Sequence, residues 1–422
     1  MTQTPSPLMP RDLLVGLPDL LPELETLYTD LHQHPELSGK ETRTAARMAE
    51  WLAGAGAEVT PAVGGTGVVG VLRNGDGPTV MLRADMDALP VRETSGLPYA
   101  SEVTMPGPDG DHTPVAHVCG HDMHLAWLAG VTSLLHRNRA DWSGTVLAVC
   151  QPAEETGAGA DGMIADGFAE RFPRPDVILG QHVARAPTGF VGTRPGVLMA
   201  ASDALRVRMF GRGGHGAMPE LSVDPIVMAA ATVLRLQTIV SRETAASASA
   251  VVTVGTLKAG TKENVIAEEA VLGLSVRTLD DDLRTRTLAA IQRIVEAEAQ
   301  ASGAPRPPEI ELLASFAMTE NDPDATSQLV AAFTEHLGPD AVVITPPAPA
   351  SEDFGAFGRA WGVPSVFWFV GGSDPATYAA AMEAGKLHEM PSNHHPAFAP
   401  LVQPTLSNGI EAMLVAAGSW LG

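Results

Sequence analysis

The chain has 422 residues, of which 45% are hydrophobic, and it carries 27 basic against 49 acidic side chains, a net charge of −22. This length predicts two or three domain-sized units with large cores. Such an acidic surface should repel nucleic-acid phosphates and anionic lipid, so we expect neither a nucleic-acid nor a membrane partner.

The lack of a recognisable targeting signal and the small number of cysteines indicate the compartment in which we expect the protein. No segment approaches the ~18 consecutive apolar residues of a membrane span. Residues 1–10 lack the basic and apolar regions of a signal peptide. Two cysteines make a disulfide framework implausible. We therefore expect a cytoplasmic protein.

The first half of the chain alternates helices with short apolar strands. In chain order, the predicted elements are a helix before residue 32, a helix over 42–52, strands over 67–72 and 79–82, a helix over 121–135, and strands over 145–150 and 177–180. Residues 74–77, Asn-Gly-Asp-Gly, are a strong turn signal between the two early strands. This alternation predicts an α/β fold with a mostly parallel sheet, in which sites lie beyond the carboxyl ends of strands.

The pattern changes near residue 200. The predicted elements become strands over 205–210, 250–257 and 271–278, with helices over 224–241 and 280–301. This order resembles a ferredoxin-like βαββαβ unit. We therefore predict a catalytic domain formed by 1–200 and 314–422, split in sequence by an inserted α+β satellite domain over 201–313.

The densest cluster of possible metal ligands lies at a predicted loop-to-helix junction. Residues 117–124 read His-Val-Cys-Gly-His-Asp-Met-His. Thiolate and imidazole are the ligands that zinc takes most readily, which favours Cys119 and His121 as ligands over a merely buried thiol. His124 follows on the same helical face, where it could orient a ligand or simply pack, and we leave it out of the metal set.

A carboxylate pair, Glu154 and Glu155, follows the apolar strand 145–150. Adjacent side chains on an irregular segment point in different directions, so one can bind metal while its neighbour stays free. Two-metal hydrolysis needs both roles, because ions that polarise the scissile carbonyl and acidify a water require a group that takes the water's proton. The sequence alone allows the two roles to be exchanged, and it also allows a solvated pair on a loop.

Three other histidines have two interpretations each. His182 follows the strand 177–180 and could bind metal at that strand end or merely cap it. His32 and His34 have ligand-like spacing, but the proline after them and a capping box over 38–41 favour a loop that leads into the next helix. We predict ligation for His182 and a structural role for the other two.

The motifs resemble the amidohydrolase branch of the zinc aminoacylase and carboxypeptidase family, which includes hippurate hydrolases, indole-acetyl-amino acid hydrolases and N-acyl-amino acid amidohydrolases. The resemblance covers nearly the whole chain. It is carried by His-Gln-His-Pro-Glu at 32–36, Arg-Ala-Asp-Met-Asp-Ala-Leu-Pro at 83–90, Cys-Gly-His-Asp-Met-His at 119–124, Glu-Glu at 154–155, Gln-His-Val at 181–183, Gly-Arg-Gly-Gly-His-Gly at 211–216, Ser-Glu-Asp-Phe at 351–354 and Asn-His-His-Pro at 393–396.

This resemblance implies a site with two divalent ions, zinc by preference and manganese or cobalt as alternatives. The implied ligands are Cys119, His121, Glu155, His182 and His394. Glu154 would be the general acid and base. His394 is preferred over its rival His395 because the ligand in relatives stands two residues before the proline. Asp87 would orient a ligand by hydrogen bonding. Other branches have a metal-binding histidine where this chain has Asp85, so the nitrogen ligand would come from His121.

The resemblance also assigns substrate contacts to the inserted domain. His215 stands in a glycine-rich loop that allows close approach of a ligand, and it would bind substrate and stabilise the tetrahedral oxyanion. Its alternative is a turn histidine. Asn264 and Arg277 are further candidates, the arginine because a guanidinium can hold a carboxylate bidentately rather than stand as a surface charge. A homodimer through this domain is expected.

The motifs and the resemblance together predict a metal-dependent amidohydrolase that cleaves N-acyl-L-amino acids to a carboxylic acid and a free amino acid. A dipeptidase or carboxypeptidase of the same superfamily is the alternative. A noncatalytic metal or amino acid binding protein is a third interpretation, which the intact Glu154 disfavours. Departures from the family pattern at Glu220, Ala267 and 397–400 leave the acyl and amino acid preference open.

Overall fold

A computed structural model of the protein describes residues 10–107 and 110–421. The strands are β1 (Glu58–Val63), β2 (Gly67–Asn74), β3 (Thr79–Asp85), β4 (Thr104–Pro106), β5 (His112–Pro114), β6 (Gly144–Gln151), β7 (Val177–Pro187), β8 (Val191–Thr193), β9 (Gly196–Met199), β10 (Ala201–Phe210), β11 (Gly214–His215), β12 (Ala250–Ala259), β13 (Val265–Ile266), β14 (Glu269–Thr278), β15 (Glu309–Phe316), β16 (Thr319–Asn321), β17 (Val342–Ile344) and β18 (Ser365–Ser373). The α-helices are α1 (Pro10–Leu13), α2 (Leu17–Gln33), α3 (Thr42–Gly54), α4 (His121–Arg137), α5 (Gly159–Ala165), α6 (Phe168–Arg171), α7 (Pro225–Thr238), α8 (Asp281–Ala301), α9 (Pro323–Leu337), α10 (Gly355–Trp361), α11 (Pro375–Glu383) and α12 (Thr405–Gly418).

The chain forms two compact units. The first consists of residues up to 198, 320–346 and 353 onward, and the second consists of 199–319 and 347–352. Among residues 10–107 and 110–421, no helix has both the length and the apolar character needed to cross a bilayer.

The first unit is built on an eight-stranded sheet in the order β1-β2-β6-β3-β7-β18-β8-β17. The four central strands, β6, β3, β7 and β18, run parallel to one another, while β1 and β2 pair antiparallel. The predicted α/β fold with a mostly parallel sheet is confirmed. The turn signal after β2 does connect it to β3, but β6 lies between these strands and pairs with both.

The central strands are buried on both faces, which explains their continuous apolar runs. All eight residues of β6 are buried, as are six of the seven in β3. Helices α4 and α12 pack on each other, and Trp127 lies against Gly409. A Cβ on Gly409 would lie 2.0 Å from Trp127 Cε2, so only glycine allows the two helices to pack this closely.

The second unit has a four-stranded antiparallel sheet in the order β12-β14-β10-β15. Its main elements follow along the chain as β10, α7, β12, β14, α8 and β15. Alternating residues of β10, namely Leu205, Val207 and Met209, enter its core, as a half-buried strand requires. Asp224 and Asp280 cap α7 and α8 by accepting backbone N–H groups.

Candidate metal centre

The structure brings the five predicted ligand residues together in the first unit. Cys119, Glu155 and His394 each offer an atom within 4.8 Å of the others. His121, Glu154 and Glu155 form a second such group. His182 completes the set, because its Nε2 lies 3.4 Å from Cys119 Sγ. The two groups share Glu155, so the donors converge on one small volume.

Gly120 lies between the donors Cys119 and His121, directly before α4 begins. Its φ is 92°, and a Cβ at this position would lie 2.4 Å from Val183 Cγ1. Glycine therefore allows both the left-handed backbone and the close approach to β7. The turn directs Cys119 and His121 into the same site.

The Glu154–Thr156 segment is a single 3-10 turn after β6. Ala153 before it has φ 50°, and its N–H donates to Glu41 Oε1 at 2.9 Å. The Glu155 N–H donates to Asp87 Oδ2 at 3.0 Å. Two buried carboxylates from elsewhere in the chain thus fix the turn. Glu154 is itself 5% exposed, with Oε2 at 4.0 Å from His121 Nε2.

The ring of His121 is oriented through its other nitrogen. Nδ1 donates to the Asp87 carbonyl oxygen at 2.9 Å and lies 3.2 Å from the Asp87 carboxylate. Nε2 is buried without a hydrogen-bond partner among the described residues and lies 3.9 Å from Glu155 Oε1. Asp87 therefore sits where a residue that orients a ligand would sit.

His182 is oriented in the same way, by a backbone carbonyl. Its Nδ1 donates to the Val183 carbonyl oxygen at 2.7 Å, which leaves Nε2 facing Cys119. Burial and the neighbouring histidines lower its pKa well below the ordinary value, so the ring is neutral. The expectation that His182 marks a strand end is wrong, because β7 continues to Pro187. Pairing between β7 and β3 stops at Arg83 and Gly180, so His182 lies two residues beyond the last paired position, level with Asp85 at the end of β3.

His394 is the histidine that reaches this site from the C-terminal segment. Its Nε2 lies 3.4 Å from Glu155 Oε1. The ring of His395 instead accepts the Ala397 N–H at 3.1 Å, and His395 belongs to none of the donor groups among the described residues.

The chemistry of these donors fits divalent metal ions. Burial raises the pKa of the Cys119 thiol, and hydrogen bonds to Cys119 and Glu155 raise the pKa of His394 to about 10. A divalent ion would replace the protons that these groups hold in the polypeptide itself. Two atoms aimed into the site, His121 Nε2 and Glu155 Oε1, are buried without a hydrogen-bond partner in the described chain. Thiolate, imidazole and carboxylate are together a typical zinc ligand set.

Comparison with known protein families identifies the family and the class of enzyme. The model of peptidase family M20/M25/M40 matches residues 81–390, which contain four of the five predicted ligands, all except His394. The chain belongs to this family. The predicted resemblance is confirmed, and so is the class of enzyme, a metal-dependent amidohydrolase.

Relatives of this M20 chain cover most of its length. A hippurate hydrolase of Campylobacter jejuni is 36% identical over 353 residues, covering 82% of this chain and 88% of the relative. Thermostable carboxypeptidase 2 of Saccharolobus solfataricus is 35% identical over 347 residues, covering 81% and 84%. The crystal structure of a dinuclear metal-binding M20 peptidase of Bacillus subtilis matches with a TM-score of 0.72 and 28% identity, covering 95% of this chain and 98% of the other.

In this M20 chain, His124 is a neighbour of the site whose ring nitrogens are both occupied. Nδ1 donates to Asp85 Oδ1 at 2.5 Å, and Nε2 accepts the Val183 N–H at 2.9 Å. Burial lowers the pKa of His124, so the ring is neutral. Although its atoms lie among the clustered donors, it has no lone pair left for a metal ion, in agreement with its omission from the predicted ligands.

His32 does not lie in a loop, contrary to the sequence-based expectation. It occupies the last turn of α2 and is 1% exposed. Its Nδ1 lies 2.6 Å from Asp122 Oδ2 and its Nε2 lies 3.1 Å from Glu93 Oε1. Burial alone would lower the pKa of His32, but these carboxylates outweigh it and raise the pKa to about 10. His32 thus has the structural role that the sequence predicts, as a buried cation. His34 is largely exposed, with Nδ1 donating to the Asp30 carbonyl.

Folding stabilises the charged form of His32, so the first unit should lose stability when His32 loses its proton at alkaline pH. The raised pKa contributes stability that is complete below about 6.5 and is lost as the pH rises through about 10. We expect the thermal midpoint, followed by tryptophan fluorescence, to fall between pH 7 and pH 10 by roughly 5 °C more in the wild type than in His32→Gln. Equal falls in both proteins would show that His32 is not charged in the folded state.

The predicted capping box over residues 38–41 is wrong. Helix α3 is capped by Glu36, whose carboxylate accepts the N–H groups of Arg43 and Thr44. Ser38 instead donates to Asp87 Oδ2 at 2.6 Å, and Glu41 holds the turn before the glutamate pair. Ser38 and Glu41 are positioning residues whose partners lie far away in sequence, so no local pattern indicates them, whereas the family resemblance does predict Asp87.

The three predicted substrate residues lie in the second unit. His215 and Asn264 line a cavity of about 910 Å³, and both are exposed. His215 Nδ1 accepts the Ala217 N–H at 3.0 Å. Arg277 is not among the residues that line this cavity. Its Nη1 donates to the Pro349 carbonyl at 2.6 Å and to Ser351 Oγ at 3.0 Å.

Proposed function

We propose that the enzyme hydrolyses the amide bond of N-acyl-L-amino acids and releases a carboxylic acid and a free amino acid. The observation that carries the proposal is the meeting of two donor groups at Glu155, the second of which also contains the buried carboxylate of Glu154. The relative named hippurate hydrolase supports this substrate class, because hippurate is an acylated glycine.

Two divalent ions would be held by Cys119, His121, Glu155, His182 and His394. The dinuclear relative from Bacillus subtilis supports the number of ions. The thiol and the imidazoles favour zinc, while manganese and cobalt are the alternatives. When bound, such ions polarise a substrate carbonyl and make a water molecule more acidic.

Glu154 is the proposed general base and then the general acid. Its carboxylate would accept a proton from the attacking water and deliver it to the nitrogen of the leaving amine. Its burial shields the proton from bulk solvent, and the bonds of Glu41 and Asp87 to the turn keep the carboxylate in place. Glu155, one residue on, faces His394 and is left for metal.

The second unit would supply substrate contacts and the dimer interface. His215 and Asn264 share one cavity, which supports a common role in binding. Arg277 would hold the substrate carboxylate. Both of its bonds to other described residues are made by Nη1, which leaves the rest of the guanidinium for a ligand. Exposed apolar side chains on the edge strand β12, such as Val251 at 48% and Leu257 at 45%, support a homodimer through this unit.

A carboxypeptidase or dipeptidase activity is the second candidate. The relative from Saccharolobus solfataricus, named thermostable carboxypeptidase 2, favours it. Both candidates use the same bond-breaking chemistry on a substrate with an amino acid on the amine side, and they differ in whether the acyl side is also an amino acid.

Release of free amino acid from a mixed panel distinguishes the candidates. The panel contains N-acetyl, N-benzoyl, long-chain acyl and indole-acetyl amino acids together with dipeptides, and it is run with metal-loaded enzyme beside a chelated aliquot. We expect release from the acylated substrates and at least a 100-fold loss on chelation, restored by adding metal. Release from dipeptides alone would establish the peptidase, and no release from metal-replete enzyme would contradict both candidates.

A further inference from the structure

The C-terminal ligand is the least protected residue of the site. The side chain of His394 is 56% exposed, and its backbone has φ 71°, a left-handed conformation that residues with a Cβ rarely adopt. The His394 N–H donates to the Val118 carbonyl oxygen at 2.8 Å. A strained loop residue needs more than one such bond to remain in place.

Asn393, the residue before it, provides the missing contacts. Its Nδ2 donates to the Cys119 carbonyl oxygen at 2.9 Å and to the Val183 carbonyl oxygen at 3.0 Å. Both partners are acceptors, so only the NH2 end of an amide can face them. A carboxylate of the same shape would place negative charge against two carbonyl oxygens.

The two carbonyls belong to the other ligand segments. One is the carbonyl of the ligand Cys119 itself. The other is the Val183 carbonyl, which also accepts the Nδ1 proton of His182 and so sets the orientation of that ring. One side chain therefore connects the segments of three ligands that are far apart in sequence.

We propose that Asn393 is a positioning residue that holds the last ligand in register with the other two and so sets the affinity of the site for metal. This inference rests on the proposed metal ligands and goes beyond them, because Asn393 offers no ligand atom. Its loss removes a donor from the Cys119 carbonyl and one of two donors from the Val183 carbonyl, and it allows the His394 loop to leave its strained conformation. Loss of a residue that orients metal ligands in this way typically weakens metal binding 10- to 100-fold.

The test measures the binding of Zn²⁺, buffered with a competing chelator, to wild type and Asn393→Asp. We expect the wild type to bind two ions, and the variant to need about 10- to 100-fold more free Zn²⁺ for half occupancy of its weaker site. Activity should recover in the variant at saturating Zn²⁺, because Asn393 does not touch the reacting groups. If the Asp variant does not fold, Asn393→Ala removes the same two donors without adding a charge and should show the same shift.

Asn138 offers a matched control. Its Nδ2 also bridges two backbone carbonyls, those of Leu13 and Val15, at 3.1 Å each. It stands at the opposite end of α4 from His121, about 25 Å away by the rise of a 17-residue helix. We expect Asn138→Asp to lower the thermal midpoint and leave the Zn²⁺ titration unchanged.

The outcomes separate the inference from the proposed function. Coincident titrations of wild type and Asn393→Asp would overturn the inference alone. An equal shift in Asn138→Asp would overturn it too, because the effect would then come from lost stability. A wild type that binds no Zn²⁺ would overturn the proposed function, and the role of Asn393 with it.

Discussion

Replacing Glu154 with Gln should lower kcat about 10²- to 10⁴-fold while the protein keeps its full complement of metal ions. The amide has the size and shape of the carboxylate but cannot accept the proton of the attacking water. Glu154 is buried beside the clustered donors, so no solvent-exposed base replaces it. The prediction is tested by measuring kcat and metal content on the same preparation.

Glu155→Gln is the informative partner for this variant. Glu155 Oε1 lies 3.4 Å from His394 Nε2 and 3.9 Å from His121 Nε2, so its loss should lower the metal content as well as the activity. If Glu154→Gln loses metal and Glu155→Gln keeps it, the two glutamates have exchanged roles. Turnover like that of the wild type in Glu154→Gln would refute its role as the base.

Replacing Arg83 with Leu should destabilise the first unit by about 3–5 kcal/mol, because it leaves buried carboxylates without their cation. The guanidinium is 1% exposed and donates to Asp85 Oδ2 at 2.7 Å, to Gln151 Oε1 at 2.7 Å and to Asp353 Oδ1 at 2.9 Å. Burial opposes the charge on Asp85, but nearby His121, His124 and Arg83 lower its pKa well below the ordinary value. Removing Arg83 therefore leaves a negative charge in the core without its paired guanidinium.

Urea unfolding followed by tryptophan fluorescence measures the free energy of unfolding of the first unit. All six tryptophans of the chain lie in the first unit, so the signal does not report on the second. Arg43→Leu is the control, because Arg43 is 41% exposed and pairs with Asp30 on the surface, where such a pair contributes at most about 1 kcal/mol. Equal shifts for the two variants would contradict the buried-pair argument.

The sequence predicted best what local pattern determines. Cys119 and His121 stand two residues apart at a helix start, and the structure brings them to the same site through a left-handed Gly120. The parallel core was predictable because strands buried on both faces are apolar throughout. Helix α4 begins at the predicted residue, His121.

What the sequence could not predict depends on partners that are distant in the chain. The cap of α3 comes from Glu36 rather than from residues 38–41, because Ser38 is committed to Asp87 and Glu41 to Ala153. Asn393 donates hydrogen bonds to two carbonyl oxygens about 200 or more residues away, and no local sequence pattern indicates these bonds. These contacts depend on tertiary packing, so they can be identified only when the arrangement of the strands is known.

The split of the first unit also determines the order in which the protein can be completed during synthesis. Strand β18 fills a central place beside β7, yet it begins at Ser365, long after β7 ends at Pro187. At synthesis rates of about 5–20 residues per second, the open edge of β7 waits on the order of ten seconds or more on the ribosome. The main sheet of the second unit lies within residues 201–316 and can form during this wait. The nascent chain must therefore protect the unpaired edge of β7 from other chains until residues 365–373 have emerged, and His394 can join the other ligands only after that.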